Sequence, residues 1–286
     1  MDRLKYGVVY HTGFFGIDPG QVTGIARHAE HLGFESFFTT EHIALYPGAQ
    51  LGRMVIAPDT PIADPLEVLG FVAAVTERIT LGTAVLLLPY HPPVVLAKRL
   101  ATIDQLSRGR MRLLTIGVGV LPGEADGAGV DFHTRGRRTD EAIDVLRLLW
   151  GGDADGVSFD GEFHSFTNLC SFPKPYQAST LPIHIGGSSP AAARRAGLRG
   201  DGFFPGGMSA ADRDAQLALM RETARGAGRD PDALEYTRWG SITLSAEEAA
   251  ALAAEGVTRL VVSPSSGDPA EQRAELSAFA ERLGLG

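Results

Sequence analysis

Residues 79–119 read ITLGTAVLLLPYHPPVVLAKRLATIDQLSRGRMRLLTIGVG, and this stretch decides the fold. Thr80 to Leu88 is apolar at consecutive rather than alternate positions, the pattern of a strand buried on both faces. Pro93 to Leu106 then has helical spacing and opens on a proline suited to a first helical turn. Met111 to Ile116 is a second buried strand that runs into Gly117-Val118-Gly119. Strand, helix and strand in this order form one unit of a parallel sheet.

The same rhythm extends in both directions. Upstream, Tyr6 to Tyr10 reads as the first strand, Pro19 to Leu32 as a helix closed by Gly33, and Phe34 to Thr40 as the second strand. A Pro- and Gly-containing excursion, 43–63, is too long for a plain connection and reads as a loop over something, before Asp64-Pro65 caps a helix that runs to Thr76. Downstream, Arg138 to Trp150 is helical, and 151–180 breaks the alternation with a hairpin from Val157 to Phe166 around Asp160-Gly161. Further strands are expected at Ile183 to Ile185, Gly202 to Phe204, Tyr236 to Thr243 and Arg259 to Val262, with helices from Pro190 and at 209–226, 245–255 and 269–283. Eight strands alternating with helices in 286 residues predict an α/β fold, a (β/α)8 TIM barrel with insertions after strands 2 and 4, forming a single domain over 1–286. A doubly wound open sheet is the alternative arrangement.

Composition narrows the class of function. Lys and Arg total 26 against 34 Asp and Glu, a net charge of −8, which speaks against nucleic acid as a partner. No apolar run approaches the roughly 18 residues needed to cross a bilayer, so no membrane is expected. The start, MDRLKYGVVY, enters strand-like sequence without the apolar core of a signal peptide, and the single cysteine, Cys170, has no partner for an internal disulfide. A cytoplasmic location is expected.

In a barrel of this kind the active site lies at the C-terminal ends of the strands. That rule selects His11, Glu41 and His42, the segment Pro89 to His91, the segment Gly117 to Glu124, and Gly186 to Ser189. It sets aside His28 and His31 as a solvated helix face. Gly186-Gly187-Ser188-Ser189-Pro190 offers close backbone approach, two hydroxyls and a helix N-terminus, which suits either a phosphate or a capped turn. His11, His42 and His91 converge either as one catalytic and two pocket-lining histidines or as a zinc set, but no short ligand pair supports zinc, and no metal is expected. His184, between two isoleucines, reads as a structural histidine.

These residues resemble the luciferase-like monooxygenase family, in its coenzyme F420-dependent (deazaflavin) branch. The resemblance covers nearly the whole chain. It rests on TTEHI at 39–43, the block at 79–119, FHTRGRRTDEAIDVLRLLW at 132–150, and LPIHIGG with GDGFFPGG between 181 and 207. It implies a bacterial luciferase-like barrel with His42 as general acid/base facing the reactive ring and Glu41 as an acidic residue beside it. It implies cofactor contacts from Ala84 and Val85, where relatives carry a bulge with a non-prolyl cis peptide, from Gly119 and Val120, and from Gly186, Gly187, Ser188 and Ser189 around the phosphate. Arg135 and Arg138 are typical of the family, either at the cofactor or tying a loop to the next helix. The basic residues that hold a sugar phosphate in one relative have no match here.

The expected activity is that of an oxidoreductase transferring hydride between coenzyme F420 and a small organic substrate. An FMN-dependent monooxygenase using reduced flavin and oxygen is the alternative, and a barrel that only binds, or a metal hydrolase, are further readings. The loops at 11–17, 43–63 and 120–135 would select the substrate, and His11, Phe14 and His91 are expected in its pocket; their apolar content points to a hydrophobic or aromatic molecule. Many barrel enzymes of this kind pair as homodimers.

Overall fold

The computed structural model describes residues 4–286, so the chain start on which the signal-peptide reading and the first residues of the expected domain fall lies outside the described residues. In chain order the strands and helices are β1 (Lys5–Tyr10), α1 (Thr12–Phe15), α2 (Pro19–His31), β2 (Ser36–Thr39), β3 (Gln50–Leu51), β4 (Met54–Val55) and α3 (Pro65–Ala73). Then come β5 (Thr80–Leu87), α4 (Pro93–Leu106), β6 (Met111–Gly117), α5 (Pro122–Gly127), α6 (Arg135–Gly151), β7 (Val157–Asp160) and β8 (Ser165–Leu169). The chain ends with β9 (Ile183–Gly186), α7 (Pro190–Arg199), β10 (Gly202–Phe204), α8 (Ala210–Gly226), β11 (Glu235–Trp239), α9 (Ala246–Ala254), β12 (Arg259–Val262) and α10 (Pro269–Leu283).

Eight parallel strands close in the order β1-β12-β11-β10-β9-β6-β5-β2, which is the predicted barrel and excludes the open sheet. Its interior is filled by Val9, Phe38, Ala84, Leu113, Phe204 and Val261. Phe38 needs two glycines to fit: a Cβ on Gly82 would lie 2.6 Å from its ring, and one on Gly7 2.9 Å. The larger apolar layer lies between strands and helices, with Trp150 of α6 fully enclosed and donating its indole N–H to Ala97 O at 3.0 Å. Several helices start on a side-chain cap, as at Asp18, Asp64, Ser209 and Asp268, and Ser245 and Glu248 form a capping box. Among the described residues no helix is long and apolar enough to cross a membrane.

Both insertions are present. The one after β2 carries the β3–β4 hairpin and returns to the barrel through Ala63 N–H, which donates to Thr12 Oγ1 at 3.0 Å. The one after β6 holds the expected hairpin as β7–β8, with Asp160-Gly161 at the start of its turn. Gly161 N–H bonds His164 O at 2.9 Å, and the turn is built on the Glu141 carboxylate, which accepts from the N–H groups of Glu162, Phe163 and His164. Helices α1 and α5 are additions to the predicted set, and β11 stops at Trp239 because Ser241 and Thr243 turn the chain. His28 is also reassigned: its Nε2 meets Arg273 O and Ser277 Oγ at 3.1 and 2.9 Å, so it joins α2 to α10 rather than facing solvent.

The N-terminal end of the barrel is plugged by charge. Arg259 is buried and bonds Glu35 at 2.9 and 3.0 Å and Glu235 at 2.7 Å, and Lys5 reaches Glu235 at 3.0 Å. Burial alone would raise the Glu235 carboxyl, but hydrogen bonding and charge from Arg259, with His184 and Lys5 adding, bring it down to about 2. His184 behaves as the structural histidine expected: burial pushes it down to about 4, against the opposing pull of Glu235.

A pH dependence of stability follows. The folded chain refuses a proton at His184 that the unfolded chain takes up near pH 6.5, so this stability is complete above pH 6.5 and drains as pH falls toward 4. Urea unfolding at pH 7.5 and pH 5 should differ by about 1–2 kcal/mol from this group, and His184→Asn should remove most of that difference. An unchanged difference in the variant would refute the assignment.

Candidate active site

A cavity of about 850 Å3 opens at the C-terminal ends of the strands. It gathers His11, Phe14, Glu41, His42, Ala84, Val85, Gly119, Val120, Gly186, Gly187, Ser188 and Ser189 on one surface. His91 is the exception among the expected residues: it does not line the cavity, because its Nε2 is turned onto Glu41 Oε1 at 2.9 Å and its side chain is buried behind the wall. That pairing also removes it from any three-histidine metal set, and among the described residues no group of three or more His, Cys, Asp or Glu is placed to hold a metal ion.

Glu41 lines the cavity, and each of its carboxylate oxygens has a partner in the chain. Oε2 accepts the Leu87 N–H at 2.5 Å and Oε1 takes His91, so Glu41 ties the end of β2 to the end of β5. These contacts make Glu41 a positioning residue for the ends of β2 and β5, and each of its oxygens keeps a second lone pair.

The adjacent residue has the free group. His42 Nδ1 lies 3.2 Å from both oxygens of Glu124, which also accepts the Ile43 N–H at 2.6 Å. Glu124 is fully buried, so its carboxylate fixes the imidazole ring and holds the proton on Nδ1. Nε2 is left without a partner within the described chain, as an acceptor at the cavity wall. The rim rule reaches Glu124 but assigns it nothing, since its pairing with His42 depends on α5, a short helix that apolar spacing does not reveal. The Pro122 at its first position and the acidic residue in its first turn were the available signals.

The floor is shaped for a flat group. The Ala84–Val85 peptide is cis, and the β5–β6 register shifts between Ala84 and Leu86, as the resemblance implied. Val85 fills the space where side chains of Gly117 and Gly186 would be: a Cβ there would lie 2.6 and 2.5 Å from its methyls. Gly119 has φ +78 and packs against the Tyr90 hydroxyl, so only glycine fits. That hydroxyl is buried without a hydrogen-bond partner among the described residues, and burial, then the charge of Glu124, pushes it up to about 12.

Beside the floor, Gly187 adopts φ +113, and the loop leads into α7, where Pro190 has no N–H and the Ala191 N–H is the first donor that an anion could meet. Ser189 Oγ is used internally, accepting Ala192 N–H at 3.2 Å. Ser188 is held from behind by Gln216 Nε2, which donates to its carbonyl at 2.9 Å. Arg195, not singled out from sequence, lines the cavity while bonding Asp140 at 2.6 and 3.2 Å. Arg135 braces the end of β6 through Gly119 O at 3.0 Å and covers the Phe132 ring at 3.5 Å. Arg138 bonds Thr134 and lies over Phe163, outside the cavity, so its loop-tying role is the one realised. An apolar floor that tolerates no extra Cβ, beside a helix N-terminus and a guanidinium, fits a planar ring carrying a phosphate.

Comparison with known proteins agrees with this geometry. The family model described as luciferase-like monooxygenase matches residues 5–284. An uncharacterised protein of Mycobacterium tuberculosis is 34% identical over 194 residues, which cover 64% of this chain and 65% of that protein's length. The F420-dependent glucose-6-phosphate dehydrogenase of Beutenbergia cavernae is 36% identical over 248 residues, 77% of this chain and 68% of that enzyme. The solved structure of an F420-dependent secondary alcohol dehydrogenase in complex with an F420-acetone adduct superposes with a TM-score of 0.81 at 18% identity, over 99% of both chains, a likeness of fold.

Proposed function

Because the chain belongs to the luciferase-like monooxygenase family, we propose that it is a coenzyme F420-dependent oxidoreductase acting on a small organic molecule. The observation that carries this reading is the His42–Glu124 pair set in the same cavity as the glycine-lined floor and the α7 N-terminus. The choice of deazaflavin over flavin is supported by F420-dependent relatives at 36% and 32% identity.

In this reading Ala84 and Val85 would back the ring, and the backbone of Gly187 and Ser188 with the Ala191 N–H would hold the phosphate, Arg195 nearby. When bound, the deazaflavin supplies two-electron chemistry by accepting or giving a hydride. The chain supplies proton handling. His42 Nε2 takes a proton from a substrate hydroxyl, or returns one to a carbonyl, while Glu124 faces the positive charge that appears on the ring. The insertion over residues 40–64 limits water at the site, with Tyr46 packed so closely on Gly123 that a Cβ there would lie 2.6 Å from its ring.

Titrating the purified chain with F420 and with FMN, followed by cofactor fluorescence, tests the proposal. Saturable 1:1 binding of F420 that is tighter than that of FMN is expected. Binding of FMN without F420 would transfer the protein to the monooxygenase chemistry that the family description also covers.

A further inference from the structure

We infer that the substrate is an uncharged, largely apolar molecule carrying one alcohol or carbonyl oxygen, bound on the wall made by α1 with its N-cap His11 and residues 51–62 of the insertion after β2. This rests on the oxidoreductase reading above and adds a substrate class to it.

The charges of the cavity are unevenly placed. Its guanidinium groups, Arg135 and Arg195, belong to α6 and α7 on the cofactor side, and both are engaged, with Gly119 O and with Asp140. The opposite wall, from α1 and residues 51–62 of the insertion, consists of His11, Phe14, Leu51, Met54, Ile56 and Ile62, with Gly13 and the Thr60 hydroxyl between them. Its side chains carry no carboxylate, ammonium or guanidinium; the carboxylate that lines the cavity, Glu41 at the end of β2, is engaged with Leu87 N–H and His91. Its one titratable group, His11, is a neutral imidazole near pH 7, because burial pushes it down to about 4. A phosphate or carboxylate on the substrate would meet this wall unpaired, and burying an unpaired charge is the most costly of all transfers from water.

The rim points to the same class. Phe14 and Met54 line the cavity and are nevertheless 65% and 46% exposed, and Val120 on the facing loop is 61% exposed. An apolar body lying over them would remove this surface from water, a gain of about fourfold in affinity per methylene.

The oxygen is specified by what the wall can bond. His42 Nε2 is the acceptor described above. His11 makes no hydrogen bond through its ring among the described residues; it stacks on Trp239 at 6.4 Å and meets Phe14 edge-on at 5.7 Å. A neutral imidazole framed by aromatic rings offers one donor and one acceptor, the match for a hydroxyl or carbonyl rather than an anion.

The experiment follows Trp fluorescence on titration with 2-hexanol, 2-octanol, octanoate and glucose 6-phosphate, with and without F420. 2-Octanol is expected to bind at least tenfold more tightly than octanoate or glucose 6-phosphate, and about tenfold or more above 2-hexanol. His11→Phe should weaken 2-octanol about fivefold. Met54→Arg, at an exposed position, should improve octanoate at least tenfold. Octanoate or glucose 6-phosphate matching 2-octanol on the unmodified protein, or no gain from hexanol to octanol, overturns the inference. Alcohols binding in the expected order while F420 does not bind would support the wall assignment and defeat the cofactor reading. F420 binding with the inverted ligand order would defeat the wall assignment alone.

Discussion

His42→Asn is expected to lower turnover about 100- to 10,000-fold, the usual contribution of a positioned acid/base, while thermal stability and cofactor affinity hold. Asparagine keeps a donor toward Glu124 but has no group that can take up a proton where Nε2 stands, so the loss isolates proton transfer. Rates of cofactor reduction by the tightest-binding alcohol, with cofactor Kd and Tm measured alongside, give the comparison. Glu124→Gln is expected to reduce kcat with KM and cofactor Kd little changed, since the carboxylate lies behind the ring and away from both ligands. A His42 variant with unaltered kcat would remove the imidazole from the chemistry.

The second large effect concerns the opposite end of the barrel. In the double variant Glu35→Leu, Glu235→Leu, Arg259 keeps its charge in a buried position and loses its carboxylate partners. A stability loss of about 3–5 kcal/mol in urea unfolding is expected. Adding Arg259→Met to the same chain should recover most of it, because three apolar side chains can replace a buried ion cluster without an unpaired charge. Failure of the triple variant to recover would mean that packing, rather than charge, governs the plug. Glu235 also sets an acid limit: its carboxyl is held at about 2 in the folded chain, against 4.5 as the reference, so its contribution is complete above pH 4.5 and is lost as pH falls from 4.5 to 2.

What was legible in the sequence followed from period and punctuation. Pro93–Leu106, Gly202–Phe204, Arg259–Val262 and 269–283 were read to the residue, because prolines or capping aspartates mark their starts and continuous apolar runs mark buried strands. The rim rule then brought His42, Gly119 and Gly186 to one cavity, since strand ends in a closed barrel have no other place to go, while Val85 came from the resemblance alone. Helices α1 and α5 escaped, being too short for an apolar period. With α5 went the role of Glu124, and the true neighbours of Glu41 and His91 were hidden for a related reason. Those pairings join residues 82 and 50 positions apart, and nothing in local spacing encodes them. The hydrophobic wall of the insertion was foreseen in composition but not in shape, because residues 43–63 take their course from Thr12 and Gly13 of α1.

The central claim is spatial: the ends of β5, β6 and β9 hold a phosphorylated tricyclic ring, and His42 stands over it with Glu124 behind. A crystal structure of the F420 complex measures this directly. The account predicts the phosphate against the backbone of residues 187–189, the ring face on Ala84 and Val85, and His42 Nε2 in contact with the space above the ring. A phosphate bound away from residues 187–189, or an imidazole at His42 turned from the ring, would contradict it.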